Sequence, residues 1–202
     1  MADDATWKPV SQTLSARTTS IPGLFEFQLD VRGDNRGWFK ENFQRQKIMA
    51  ALAAVNAQHT ELIDDFVIVQ NNVSFNKQPG VARGIHAEPW DKYISLASGE
   101  CFVAIVDVRN NETFGQIETF HLTPNTAIFV PRGCGNSFQA LTNDLVYTYL
   151  VNAHWSADTH YTFVNLRDPD LNIAWPIPIT NDLLSEKDQH HPWLKDITAM
   201  EV

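Results

Sequence analysis

The sequence predicts an all-β domain, a sandwich or barrel of the jelly-roll class, with short helices at its periphery. Three observations carry this prediction. Short runs rich in β-branched and aromatic residues follow one another from Phe66 onward. Turn residues such as Ser98-Gly99-Glu100 and Asn110-Asn111 separate them. The chain has 202 residues, 44% of them hydrophobic and 19% charged, which suits one domain with a sizeable core. Many short strands at this spacing are the mark of sandwiches and closed or rolled barrels.

Taken in order, Met1 to Ser20 reads as a loose arm or a leading edge strand. It is polar, carries Asp3 and Asp4 and has no apolar h-region, so no signal peptide is expected. Between Phe43 and Val55 the apolar residues Phe43, Ile48, Met49, Leu52 and Val55 recur at roughly helical spacing, which predicts one helix packed on the domain. The predicted strands are Phe66–Gln70, Val73–Phe75, Tyr93–Ala97, Cys101–Val108, Gln116–Leu122, Ala127–Val130, Ser137–Leu141 and Leu145–Val151. The tail from Asp168 is rich in proline and aspartate and should wrap the barrel in loops and short helical turns. The expected organisation is one domain over residues 1–202, with the barrel core at about 66–152.

Composition narrows the function classes. A net charge of −9 lacks the basic footprint of a nucleic-acid binder, though a few arginines in one pocket would still hold an anionic small ligand. The longest apolar runs are strand-sized, so no membrane helix is expected. Cys101 and Cys134 are too few for a disulfide framework, and a reducing, cytoplasmic location is the plainer expectation.

The stretch from Gly80 to Gly99 resembles the first motif of the metal-binding cupins: Gly, five residues, His, any residue, His, three or four residues, Glu, six residues, Gly. Here the positions hold Gly80, His86, Glu88, Lys92 and Gly99. Pro131, Gly133 and Asn136 resemble the second motif, Pro-x-Gly-x-x-His, with Asn in place of His. A lysine ammonium repels a cation and has no lone pair while protonated. The frame is kept and the ligand types are changed, so no metal is expected.

A more specific resemblance covers most of the chain. NVSFNKQPGVARGIHAEPWDK at Asn72–Lys92 is similar to the signature of the dTDP-4-dehydrorhamnose 3,5-epimerases. Asp34-Asn35-Arg36-Gly37-Trp38-Phe39-Lys40-Glu41, Asp107-Val108-Arg109 with Phe114-Gly115, Pro131-Arg132-Gly133, Asp168-Pro169, Ile173-Ala174-Trp175-Pro176 and Ser185-Glu186-Lys187-Asp188 resemble further family segments in the same order. The resemblance implies a cupin-type jelly roll, a homodimer sharing segments across its interface, a nucleotide-sugar substrate, and no cofactor. It implies His86 as the base, Asp188 as its partner and Lys92 as stabiliser of an enolate oxygen at O4. Arg83 would contact the diphosphate. Arg36, Phe39, Glu41, Gln70, Asn72, Asn136 and Trp155 would help to hold nucleotide and sugar.

The sequence departs from the family pattern on the proton-return side. The first family tyrosine falls on Tyr149, but the second, the usual general acid, falls on Trp155, whose indole is no usable acid near neutral pH. The family histidine of the second motif is Asn136, and the loop between His86 and Lys92 is short. Similar HAEPWDK and GNSF segments occur in a divergent branch of the family. Tyr147, Tyr149, His154 or water could return the proton. The readings left open are epimerisation at C3, C5 or both, and a non-catalytic sugar-nucleotide binding module.

Overall fold

The computed structural model describes residues 8–11 and 14–202. Its strands are β1 (Lys8–Ser11), β2 (Leu14–Thr18), β3 (Phe25–Leu29), β4 (Val31–Asp34), β5 (Gly37–Lys40), β6 (Gln70–Asn76), β7 (Ala82–Ala87), β8 (Lys92–Ser98), β9 (Cys101–Asp107), β10 (Ile117–Leu122), β11 (Thr126–Val130), β12 (Cys134–Ala140), β13 (Leu145–Val151) and β14 (Thr162–Val164). The helices are α1 (Arg45–Ala54), α2 (Glu61–Asp64) and α3 (Glu186–Gln189), with 3₁₀ turns at Asn181–Leu183 and Leu194–Asp196. Among the described residues no helix is long and apolar enough to cross a membrane.

Two antiparallel sheets make the body. One has seven strands in the order β1-β2-β3-β11-β8-β13-β6, the other five in the order β10-β9-β12-β7-β14. From β6 to β13 the chain crosses repeatedly from one sheet to the other, as a jelly roll does. A separate hairpin, β4–β5, projects between β3 and α1. Lys40 at its base donates to the carbonyls of Leu96 (2.7 Å) and Pro124 (2.8 Å). Burial there pulls the Lys40 ammonium down to about 8.

Alternation along the strands sorts side chains into three cores. Ile94 and Leu96 of β8, Ile128 and Val130 of β11, and Val103 and Ile105 of β9 meet between the sheets. Tyr93, Ala127 and Phe129 point the other way and pack with Phe25, Phe27, Ile48, Leu52 and Phe66 under α1. That two-sided burial is why β11 reads as an unbroken apolar run. Outside the smaller sheet, Ile85, Ala87, Val106 and Val108 are covered by Leu171 and Met200 of the tail.

The sheets reach beyond residues 66–152. β2 and β3 pair in register with each other and join β11, because Phe25, Phe27 and Leu29 alternate onto the α1 face. β14 adds an edge strand to the smaller sheet. The strand expected at Phe66–Gln70 begins only at Gln70: the Phe66 amide closes the end of α2 on the Ile63 carbonyl, and its own carbonyl is taken by Arg45. The helix expected over Phe43–Val55 forms at Arg45–Ala54, and the Gln44 side chain caps it by accepting from the Lys47 amide. Residues 1–7, 12 and 13 of the N-terminal arm lie outside the described residues.

Phe129 is fully buried between the rings of Phe25 and Phe66. Phe129→Ala should therefore lower stability by about 3–5 kcal/mol, seen as a lower urea midpoint at unchanged slope.

Candidate active site

The open end of the roll holds a cavity of about 200 Å³ lined by Ser74, Arg83, His86, Glu88, Lys92 and Asn136, with Phe138, Tyr147 and Tyr149 at its wall. Both sheets contribute. From the smaller sheet, β7 supplies Arg83 and His86, and β12 supplies Asn136. From the larger, β8 supplies Lys92 and β13 supplies Tyr147 and Tyr149.

Strict alternation would put Arg83 and His86 on opposite faces of β7, three residues apart. The register against β12 prevents this. Asn136 faces His86, yet Phe138, two residues on, faces Arg83, so β7 carries one extra residue, a β-bulge. Both side chains thus line the cavity.

His86 Nε2 lies 2.8 Å from Asp188 Oδ1 of α3, 102 positions away in sequence. The ring donates Nε2–H to the carboxylate and keeps its lone pair on Nδ1. Its edge meets Phe163 of β14 at 5.1 Å between ring centres. Ser185 caps α3, accepting from the Asp188 amide at 3.1 Å. Burial pushes the Asp188 carboxyl up, but hydrogen bonds from His86, the Ser185 hydroxyl and the Gly84 amide outweigh it and hold the group at about 2. Gly84 makes room for this contact: a Cβ there would fall on the Asp188 carboxylate and 2.8 Å from His86 Nε2.

Opposite the dyad, Lys92 is only 4% exposed and bonds through Nζ to the Glu88 carboxylate and to Asn136 Oδ1. Asn136 turns its amide toward the Tyr147 hydroxyl at 3.5 Å. Burial, reinforced by the Glu88 charge, raises the phenols of Tyr147 and Tyr149, that of Tyr147 well above 10. Arg83 reaches toward Ser74 Oγ (3.3 Å) and Asn76 Oδ1 (3.4 Å) at the rim. Gln70 and Asn72 stand on the same row of β6 as Ser74; Gln70 donates to Asn72 at 2.8 Å, and Asn72 pairs with Tyr149.

Four residues singled out in the sequence lie elsewhere. Arg36 pairs with Asp34 in the hairpin turn, Phe39 is 67% exposed on β5, and Glu41 pairs with Lys47. Phe39 and Glu41 border a second hollow, of about 300 Å³, whose charged walls are ion-paired as Arg32–Asp30 and Lys47–Glu41. Trp155, in the loop after β13, is 65% exposed and absent from the cavity wall. Neither the β4–β5 segment nor the loop at Trp155 contributes to the wall of this cavity within one chain.

Two residues join the site that sequence reasoning did not place there. Glu88 was read only as a changed metal ligand; its position four residues before a lysine was the available signal. His191, in the tail, has Nε2 3.7 Å from Asp188 Oδ1 and stacks on Phe163 at 4.8 Å. His86, Asp188 and His191 are the one group of ligand-type atoms close enough for a metal among the described residues. At the cupin positions, Lys92 is instead engaged in its ion pair with Glu88.

A two-sheet jelly roll whose mouth holds a His–Asp dyad and a buried lysine has the architecture of the cupins. A sequence profile of the dTDP-4-dehydrorhamnose 3,5-epimerases matches residues 18–196. The RmlC homolog of Streptococcus pyogenes serotype M6 is 46% identical over 183 residues, 89% of each chain. The dTDP-4-dehydro-6-deoxyglucose 3-epimerase of Streptomyces bikiniensis is 32% identical over 182 residues, 87% of this chain and 86% of its own. RmlC from Streptococcus suis, solved in complex with dTDP-D-xylose, superposes with a TM-score of 0.81 at 43% identity, covering 94% of this chain and 95% of that one. The chain belongs to the dTDP-4-dehydrorhamnose 3,5-epimerase family of sugar-nucleotide epimerases.

The Asp188 carboxyl, ordinarily at 3.8, is held at about 2 in the fold, so the dyad favours folding above the ordinary value and loses that effect as the pH falls through about 2. The shift corresponds to about 2 kcal/mol. Urea titrations of wild type and Asp188→Asn should differ by about that much near neutral pH and converge between about pH 4 and pH 2.

Proposed function

We propose that this chain epimerises a dTDP-linked 4-keto-6-deoxyhexose at C3, C5 or both, taking dTDP-4-dehydro-6-deoxy-glucose toward dTDP-4-dehydro-rhamnose. The observation that carries the reading is the His86–Asp188 dyad on one wall of the cavity with Lys92 reaching in from the other sheet. The 4-keto group acidifies the hydrogens on C3 and C5. His86 Nδ1 removes one, and Asp188 stabilises the imidazolium through the Nε2–H bond. The enolate charge collects on O4, where the Lys92 ammonium offsets it. A proton returned to the opposite face inverts the centre.

Tyr149 is our candidate for that second proton. It lies on the cavity wall, and a phenol held above its ordinary value is protonated at neutral pH and still far more acidic than the α-carbon of a ketone. Tyr147 is fully buried and engaged with Asn136, and Trp155 stands outside the wall, so neither serves as well. The cavity is smaller than the roughly 300–1,000 Å³ of common small-molecule pockets. It suits the sugar alone, with the diphosphate on Arg83 and the nucleotide along Gln70 and Asn72. Acid–base transfer of this kind needs no nicotinamide or metal. The two cysteines, both buried free thiols, suit a reducing, cytoplasmic setting.

We further propose a homodimer. Val67, Ile68, Val69, Val73 and Phe75 leave an exposed apolar strip along and before the edge strand β6. An uncovered apolar edge of this length invites pairing with a second copy. A second copy docked there would also give the β4–β5 hairpin, with Arg36, Phe39 and Glu41, a neighbouring cavity mouth to complete.

Two experiments test these readings. With the 4-keto sugar nucleotide in deuterium oxide, NMR should show deuterium entering at C3 or C5 with inversion. His86→Ala should slow exchange about 10²–10⁴-fold and Lys92→Met roughly 10²–10³-fold. Exchange in His86→Ala at the wild-type rate would eliminate the mechanism, and deuterium entry without inversion would remove Tyr149 as the acid. For the assembly, sedimentation at micromolar concentration should give a dimer for wild type and a monomer for Phe75→Lys. A wild-type monomer would sink the shared site.

A further inference from the structure

His191 gives the dyad a second face. Three ligand-type atoms, one each from His86, Asp188 and His191, lie within 4.8 Å of one another. They come from β7, α3 and the segment just after α3. Two of the three separations are 2.8 Å and 3.7 Å, both measured to Asp188 Oδ1. A tetrahedral zinc with ligand bonds near 2.0–2.2 Å sets its ligands about 3.4 Å apart. Those two spacings fall on either side of that value and the third pair lies within 4.8 Å, so the two imidazoles would turn to close on one ion.

The surroundings are those of a metal site as much as of a dyad. Asp188 is already oriented by the Ser185 hydroxyl and the Gly84 amide. The His191 ring is pinned against Phe163, and its Nδ1 is buried without a well-formed hydrogen bond, beside the Val164 carbonyl. A ligand imidazole commonly directs its second nitrogen to such a carbonyl. The His86 side chain is 37% exposed, which leaves an approach from the cavity.

We propose that His86, Asp188 and His191 form a site for a borderline divalent cation such as Zn²⁺, and that its occupation shuts the epimerase off. The set of two imidazoles and one carboxylate is the donor chemistry that zinc takes, and open positions remain for water. The consequence for catalysis, which rests on the function proposed above, follows from one proton. In the dyad, His86 carries its hydrogen on Nε2 and uses Nδ1 as the base. A cation bound at Nε2 takes that lone pair and moves the hydrogen to Nδ1. No proton leaves the neutral ring, but the nitrogen that faces the sugar is now a donor. The cation also ties up the Asp188 charge that stabilises the imidazolium.

Cobalt(II) replaces zinc in such sites and is visible through its d–d absorption, so binding is read without any turnover. Tag-free wild type titrated with Co²⁺ should develop the absorption of a low-coordinate site, and Zn²⁺ should displace it. His191→Phe keeps the stacking on Phe163 and removes the ligand. It should weaken cobalt binding by more than the roughly 10–100-fold that loss of an outer-shell partner costs. Asp188→Asn, compared in the same way with its fold checked by circular dichroism, should do likewise. In the exchange assay, zinc should suppress deuterium entry in wild type and a chelator should restore it. No cobalt absorption in wild type, or unchanged absorption in both folded variants, overturns the site. Absorption at the site with undiminished exchange overturns the inhibition. If wild type shows no exchange with any substrate tried, the epimerase reading fails while the cobalt titration still decides the site.

Discussion

The cavity end of this molecule depends on a residue with no side chain. Asp188 comes from the tail, far along the chain, and reaches His86 only because nothing projects from Gly84 into the space its carboxylate fills. Gly84 also offers its amide to that carboxylate. It sits in the bulge that turns Arg83 and His86 to the same side. One local irregularity in β7 therefore does three things: it aligns two functional side chains, opens room for the tail, and gives the tail's carboxylate a hydrogen bond. Glycine weakens a strand interior, and here that weakness is offset by pairing on both sides, to β12 and to β14. The tail in turn is held by the apolar cluster of Ile85, Val106, Leu171 and Met200, so packing on the outer face of the sheet fixes chemistry on the inner one.

The second half of the cavity obeys a different constraint. Lys92 is only 4% exposed, and burying a charged group is costly unless it is paired and hydrogen-bonded. Glu88 supplies the compensating charge and Asn136 a neutral acceptor. The same carboxylate lies close enough to both tyrosines to raise their phenols. One carboxylate thus pairs the buried lysine and adds to the burial that raises both phenols. In the cupin frame its position would hold a metal ligand; here it serves an ammonium. The frame's geometry is reused for acid–base chemistry by exchanging which species needs the carboxylate.

Much of this was legible in the sequence, for identifiable reasons. The strands from Tyr93 to Val151 were found because their apolar runs are long and punctuated by turns, and α1 because its apolar residues recur at helical spacing. β7 was not, since Ala82–Ala87 carries Arg83 and Gly84 where apolar alternation should be: the residues that make the site are those that break the strand pattern. β3 was not read as a strand because a short alternating segment carries little signal of its own, whereas β2 falls within the stretch read as a loose arm or leading edge strand. His86, Lys92 and Asp188 stand in ordered motifs; the first two line one cavity, and Asp188 meets His86 from α3. His191 could not be found that way, because its part arises from a contact between α3 and the segment after it. Arg36, Phe39, Glu41 and Trp155 show the converse limit. Motif membership names a residue but not where the fold will carry it.

The unequal construction of the two sides bears on the outcome of the proposed reaction. The base is fixed by strands: His86 is flanked by Asn136 on β12 and Phe163 on β14 and tied to α3. A base held this firmly serves two carbons only if the sugar turns beneath it. The cavity is small, so such turning is governed by what closes its mouth rather than by the dyad. Within one chain the wall there includes Tyr149, Arg83 and Ser74 of β6, and neither the hairpin nor Trp155 is part of it. In the proposed reaction, one centre or two is then inverted according to how far the rim lets the sugar turn. That a 3-epimerase and the 3,5-epimerases share this family fits the same division: the base side sets that exchange occurs, and the mouth sets how many poses the sugar takes.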